Sequence, residues 1–106
     1  MHDEYCVVFN TCPNRESARA IAMALIENRY AACVNLVPGL TSIYHWKGAV
    51  EEGEEVLLLI KTTRNRYPDV ESCIRAGHPY ELPEIIAVAV ENGSANYLAW
   101  IGESIQ

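Results

Sequence analysis

The run His78-Pro79-Tyr80-Glu81-Leu82-Pro83-Glu84 holds the residues of this chain best suited to chemistry. It sets an imidazole and a carboxylate on a short connector that two prolines stiffen. Each proline fixes its own φ at about −65° and drives the residue before it toward extended geometry. His78 and Leu82 are thereby kept out of helix, and the segment has little conformational freedom left to lose on binding. Imidazole nitrogen and carboxylate oxygen together suit borderline divalent ions such as copper(II) or zinc. Two donors six residues apart do not complete a coordination shell, so a metal reading needs a third donor from elsewhere. The same residues admit a plainer reading, in which His78 and Tyr80 cap and pack a strand entrance and Glu84 stays solvated.

A second polar cluster, Lys61, Thr62, Thr63 and Arg64, ends a long apolar run and places cations beside hydroxyls, a combination that favours a small anion. Glu51, Glu52, Glu54 and Glu55 read as an acidic turn at a solvated hairpin tip. No nucleophile stands beside a base and no glycine-rich phosphate cradle is present, so the chain reads as a binding protein and not an enzyme, with no organic cofactor. A net charge of −6 and the lack of a basic run interleaved with aromatics argue against nucleic acid. No basic segment leads into an apolar signal core, and no apolar run reaches about 18 residues, which predicts a cytoplasmic protein without a membrane partner. Cys6, Cys12, Cys33 and Cys73 show no C-x-x-C spacing and read as reduced thiols. At 106 residues the chain forms one domain, 1–106, small enough for oligomerisation to add useful burial.

The elements that position these groups follow from pattern. Tyr5 to Thr11 is aromatic and β-branched and stops at Pro13-Asn14, a strand and then a turn. Ala18, Ile21, Ala22, Leu25 and Ile26 form one helical stripe beginning near Asn14, a favourable N-cap. Ala31 to Val37 is a second strand, bent or bulged at Pro38-Gly39 and resumed through Trp46 before a turn at Lys47-Gly48. Val56 to Ile60 is a third strand, apolar on both faces. Pro68 opens a second helix that ends at Gly77, Ile85 to Val90 is a fourth strand buried on both sides, and a last helix carries Tyr97, Leu98, Ile101 and Ile105. The β-α-β-β-α-β order gives an antiparallel sheet with both crossover helices on one face. The opposite face is apolar and one short helix cannot cover it, which predicts that other subunits do.

Several motifs now fall into place together. Ala31-Ala32-Cys33-Val34-Asn35-Leu36-Val37-Pro38-Gly39 with Ser42-Ile43-Tyr44-His45-Trp46, then Leu59-Ile60-Lys61-Thr62-Thr63, His78-Pro79-Tyr80 with Pro83-Glu84, and Tyr97-Leu98-Ala99-Trp100 resemble the CutA family of divalent-cation tolerance proteins. The resemblance runs from about residue 5 to residue 105, with the motifs in order and at compatible spacing. It implies a ferredoxin-like α+β fold similar to PII signalling proteins, with an extra C-terminal helix, packed as a homotrimer with sheets inward. It also implies a link to copper tolerance and copper(II) binding by a cysteine after the first strand, the histidine of the H-P-Y motif and the glutamate of the P-E step. His78 and Glu84 match that pattern. The family cysteine directly precedes the threonine of the first turn, a place held here by Asn10, while Cys12 follows Thr11 and is the remaining candidate for third ligand. Tyr44, Trp46 and Trp100 are the anchors that the resemblance places between subunits. His45 alternates with Tyr44 and Trp46 and faces away from them.

Two functions compete: a metal-responsive trimer, and a PII-like signalling module that binds a small molecule or protein partner between subunits. Met1-His2 adds a separate copper chelate of terminal amine, backbone amide and imidazole, which any test of His78 has to control for.

Overall fold

Four strands and three helices carry out that plan in the computed structural model, which describes residues 4–105. The Met1-His2 chelate therefore lies outside the described residues. The strands are β1 (Tyr5–Cys12), β2 (Cys33–Trp46), β3 (Ala49–Thr63) and β4 (Ile85–Ala89), and the helices α1 (Arg15–Glu27), α2 (Tyr67–Gly77) and α3 (Ala95–Ser104). The sheet is antiparallel in the order β2-β3-β1-β4, as two interleaved βαβ halves require. Asn14 caps α1, its side chain accepting from the Ser17 N–H at 2.8 Å, and Ser94 caps α3 in the same way. Pro68 sits in the first turn of α2, where its missing N–H costs nothing.

Strand alternation divides the sheet cleanly. Cys6, Val8, Leu58 and Ile60 face α1 and α2, whose Ala18, Ile21, Leu25, Val70 and Ile74 complete a closed core. Full burial of each large aliphatic in it contributes about 2 kcal/mol. The other face carries Val7, Phe9, Leu57 and Leu59, and α3 covers only one corner, where Tyr97 meets Cys33. Burial of β4 on both sides is not met within one chain: Ile86 is 56 % exposed and Val88 53 %. Both pair with open-face residues of β1, Phe9 and Val7, on the side away from α1 and α2, and the strand lies at the sheet edge beside β1 alone.

The bend expected at Pro38-Gly39 is a register shift between Val37 and Leu40, with Gly39 at φ +80°. The acidic run expected to form a turn is strand instead. The hairpin turns at Lys47-Gly48, with φ of 51° and 84°, the left-handed pair that a two-residue loop demands. Glu51, Glu52, Glu54 and Glu55 are strand residues of β3, opposite Tyr44, Ile43, Thr41 and Leu40. β1 ends opposite Val56, so residues 40–46 and 49–55 run on as a two-stranded arm, and the molecule extends to 44 Å. A lone hairpin is marginal in water, and this one needs something to lean on.

Candidate functional site

The connector at residues 78–84 leaves α2 and lies across the end of β1, where three hydrogen bonds, to Thr11, Asn10 and Glu55, fasten it. His78 is the C-cap of α2 and extended, as the following proline dictates. The Tyr80 N–H donates to its Nδ1 at 3.1 Å, so the ring carries its hydrogen on Nε2, which donates to the Thr11 carbonyl at 2.7 Å. Asn10, fully buried, donates from Nδ2 to the Glu84 carbonyl at 2.8 Å. The Tyr80 hydroxyl donates to Glu55 Oε2 at 2.7 Å, and its ring lies 4.8 Å from that of His78. From the arm, Ser42 Oγ donates to the other Glu55 oxygen at 2.6 Å. Glu55 is only 9 % exposed, and both its oxygens accept, the pattern of an ionised carboxylate.

Cys12 Sγ lies 3.6 Å from His78 Nε2 and donates to Asn10 Oδ1 at 3.5 Å. Burial pushes this thiol up to about 11; Ser17 pulls the other way, and the Glu55 charge adds to the rise. A thiol held there is protonated at neutral pH, so Cys12 and His78 are neighbours without forming an activated nucleophile. Burial, followed by the Glu55 carboxylate that accepts its hydroxyl, holds the Tyr80 phenol well above the usual range.

The structure thus brings Cys12 and His78 together and leaves Glu84 on the surface, attached through its backbone. Among the described residues no three His, Cys, Asp or Glu side chains form a ready metal cluster. Nitrogen, sulfur and carboxylate oxygen fit copper(II) or zinc by chemistry. In this arrangement, however, both imidazole nitrogens are engaged by backbone and the thiol keeps its proton. Lys61, Thr62, Thr63 and Arg64 do not converge: Lys61 bonds Asn35 on the open face, while the buried Thr62 donates to the Tyr30 carbonyl at 2.6 Å. Tyr44 is 46 % exposed on the arm, Trp46 is half-buried with Lys47 Nζ 5.6 Å from its ring centre, and Trp100 pairs with Tyr97 on α3. The sequence pattern gives Glu55, Ser42 and Asn10 no part in this site, where the fold makes them its fastening. Counting back from a two-residue turn at Lys47-Gly48 pairs Ser42 with Gly53 and so brings its hydroxyl near Glu55.

These features define a ferredoxin-like α+β protein whose site is a loop clasped between a strand end and a projecting arm. Residues 6–104 match the model of the CutA1 divalent ion tolerance protein family, and the chain belongs to that family. It is 52 % identical over 98 residues to the divalent-cation tolerance protein CutA of Thermus thermophilus, covering 92 % of this chain and 95 % of that one. It is 52 % identical over 93 residues to human protein CutA, covering 88 % of this chain but only 52 % of the human protein. The solved Thermus thermophilus structure superposes with a TM-score of 0.94 at 50 % identity, over 96 % of this chain and 99 % of that one. A Xylella fastidiosa CutA structure gives 0.95 at 42 % identity, over 97 % and 99 %.

Proposed function

We propose that this protein acts in divalent-cation tolerance as a homotrimer that takes up copper(II) weakly at His78, Cys12 and Glu84. Membership of a divalent ion tolerance family gives the reading its class. The observation that carries the site is the approach of Cys12 Sγ to His78 Nε2 at the strand end, within the loop that bears Glu84. Loading this site means giving up the His78 to Thr11 bond, moving the ring hydrogen to Nδ1 and removing the Cys12 proton. Each of these costs free energy, which accounts for weak binding. Catalysis is disfavoured because the buried thiol is not an activated nucleophile.

Trimer formation is supported by the apolar open face, with Ile86 and Val88 exposed, and by an arm that lacks support within its own chain. Tyr44, Trp46 and Trp100 are the aromatic anchors for that packing. Four free thiols suit a reducing compartment, which favours the cytoplasm, and among the described residues no helix is long and apolar enough to cross a membrane. The test is electron paramagnetic resonance of copper(II) on a His2→Ala background. Nitrogen coupling that disappears with His78→Ala supports the assignment; coupling that persists removes His78 from it. A second reading, a PII-like module with a small ligand between subunits, is favoured by a cleft that Glu55, Tyr80 and residues 42–46 of the arm line.

A further inference from the structure

A cleft of about 670 Å³ lies beside the metal candidates, between the arm and the connector. Its walls include Tyr80 with Tyr44 and Trp46, the latter two also the proposed subunit anchors, so the cleft opens at the seam of the proposed trimer; three carboxylates, Glu55, Glu81 and Glu84, line it, and no Lys or Arg of the same chain does. Glu55 is the informative member. A carboxylate this buried is ordinarily paired with a cation, because neutral donors offset only part of the cost of taking a charge out of water. Here the donors are two hydroxyls, from Ser42 and Tyr80, and among the described residues no cationic side chain forms an ion pair with it. Two of its roughly four acceptor positions remain open.

We infer that this cleft binds a small organic cation, an amine or guanidine on an apolar stem, with the charged head at Glu55 and the stem against the aromatic walls. Aromatic faces attract cations, and carboxylates at the end of an aromatic channel select ammonium or guanidinium over neutral or anionic ligands. Lys47 Nζ over the Trp46 ring shows the same attraction already at work on this wall. A hard inorganic ion is the poorer fit, since it needs about six oxygen ligands where much of this lining is aromatic ring. The net charge of −6 and the glutamates along the arm draw cations toward the cleft. The inference goes beyond the copper reading: it shares only Glu84 with that site and uses neither His78 nor Cys12.

The test uses chelator-treated protein with Trp100→Phe, which leaves Trp46 as the single tryptophan, and follows its fluorescence on titration with agmatine. Saturable binding is expected, weakened about tenfold by Glu55→Gln, as loss of a charged hydrogen-bond partner implies. Glu81→Gln, at an exposed rim position, should weaken it about threefold without disturbing the fold, and keeps the test valid if Glu55→Gln folds poorly. Three results would overturn the inference. They are equal agmatine binding in wild type and both variants, an equal response to 1-pentanol, and an equal response to magnesium at matched ionic strength. Failure of agmatine to bind while Glu55→Gln breaks up the assembly would also overturn it, by assigning Glu55 to a neighbouring copy. None of these outcomes bears on copper at His78.

Discussion

Replacing Tyr80 by Phe removes one oxygen and keeps the ring that packs against His78, so it isolates the clasp between connector and arm. The lost contact is a 2.7 Å hydrogen bond to a carboxylate that is 9 % exposed and has one other donor, Ser42. Hydrogen bonds to charged groups contribute about 1.5–3 kcal/mol. Tyr80 itself is 37 % exposed, so water can partly replace the phenol, and the lower end applies, about 1.5 kcal/mol. At this chain length that lowers Tm by about 6 °C at fixed protein concentration. Ser42→Ala strips the other donor, and because both serve one carboxylate the double variant should lose more than the sum of the singles. Chemical denaturation of the four proteins in this cycle supplies the numbers. If Tyr80→Phe costs less than about 0.5 kcal/mol and the two changes add, Glu55 is served by water, and the account of how the arm is held is refuted.

Three further outcomes are expected. Sedimentation equilibrium at micromolar concentration should show a trimer, and an intact monomer would contradict the subunit packing. Trp46→Ala should weaken assembly by about 2 kcal/mol or more if the ring is an interface anchor; unchanged oligomer stability would place it at the surface. The third concerns Cys12, whose folded thiol titrates at about 11 against an ordinary 9.0. Below pH 9 both states keep the proton; above it the unfolded chain releases its proton first, so stability falls until the folded thiol also ionises. Cys6 and Cys73, both raised by burial, share in that decline. Cys12→Ala removes one share, and the stability gap between wild type and variant should narrow by about 2 kcal/mol between those limits. A gap constant with pH would show that Cys12 is not held protonated.

Patterns confined to one element were legible in the sequence: the Asn14 cap, the α1 stripe, the Pro-Gly bulge and the proline-bounded connector each follow from a few neighbouring residues. The clasp was not legible, because it depends on register. Glutamates at 51, 52, 54 and 55 fall on both faces of β3 and hide the alternation that marks a strand, so the run resembles a solvated turn. Only pairing across the arm brings Ser42 and Glu55 together, and only the fold back from α2 brings Tyr80 to them. Asn10 was read as a missing ligand, yet its amide ties Glu84 to β1. Lys61 to Arg64 looked like one cluster in the linear chain, but strand alternation sends Lys61 and Thr62 to opposite faces.

Calorimetry of copper(II) binding to the His2→Ala protein, repeated in buffers of different ionisation enthalpy, tests whether His78 and Cys12 hold the ion. Coordination by His78 needs only a move of the ring hydrogen between nitrogens, whereas Cys12 must release a proton from a thiol held at about 11. Weak binding with about one proton released per ion at neutral pH is expected, lost when His78 is replaced by Ala. Binding unchanged in His78→Ala, or abolished entirely by His2→Ala alone, would contradict that assignment.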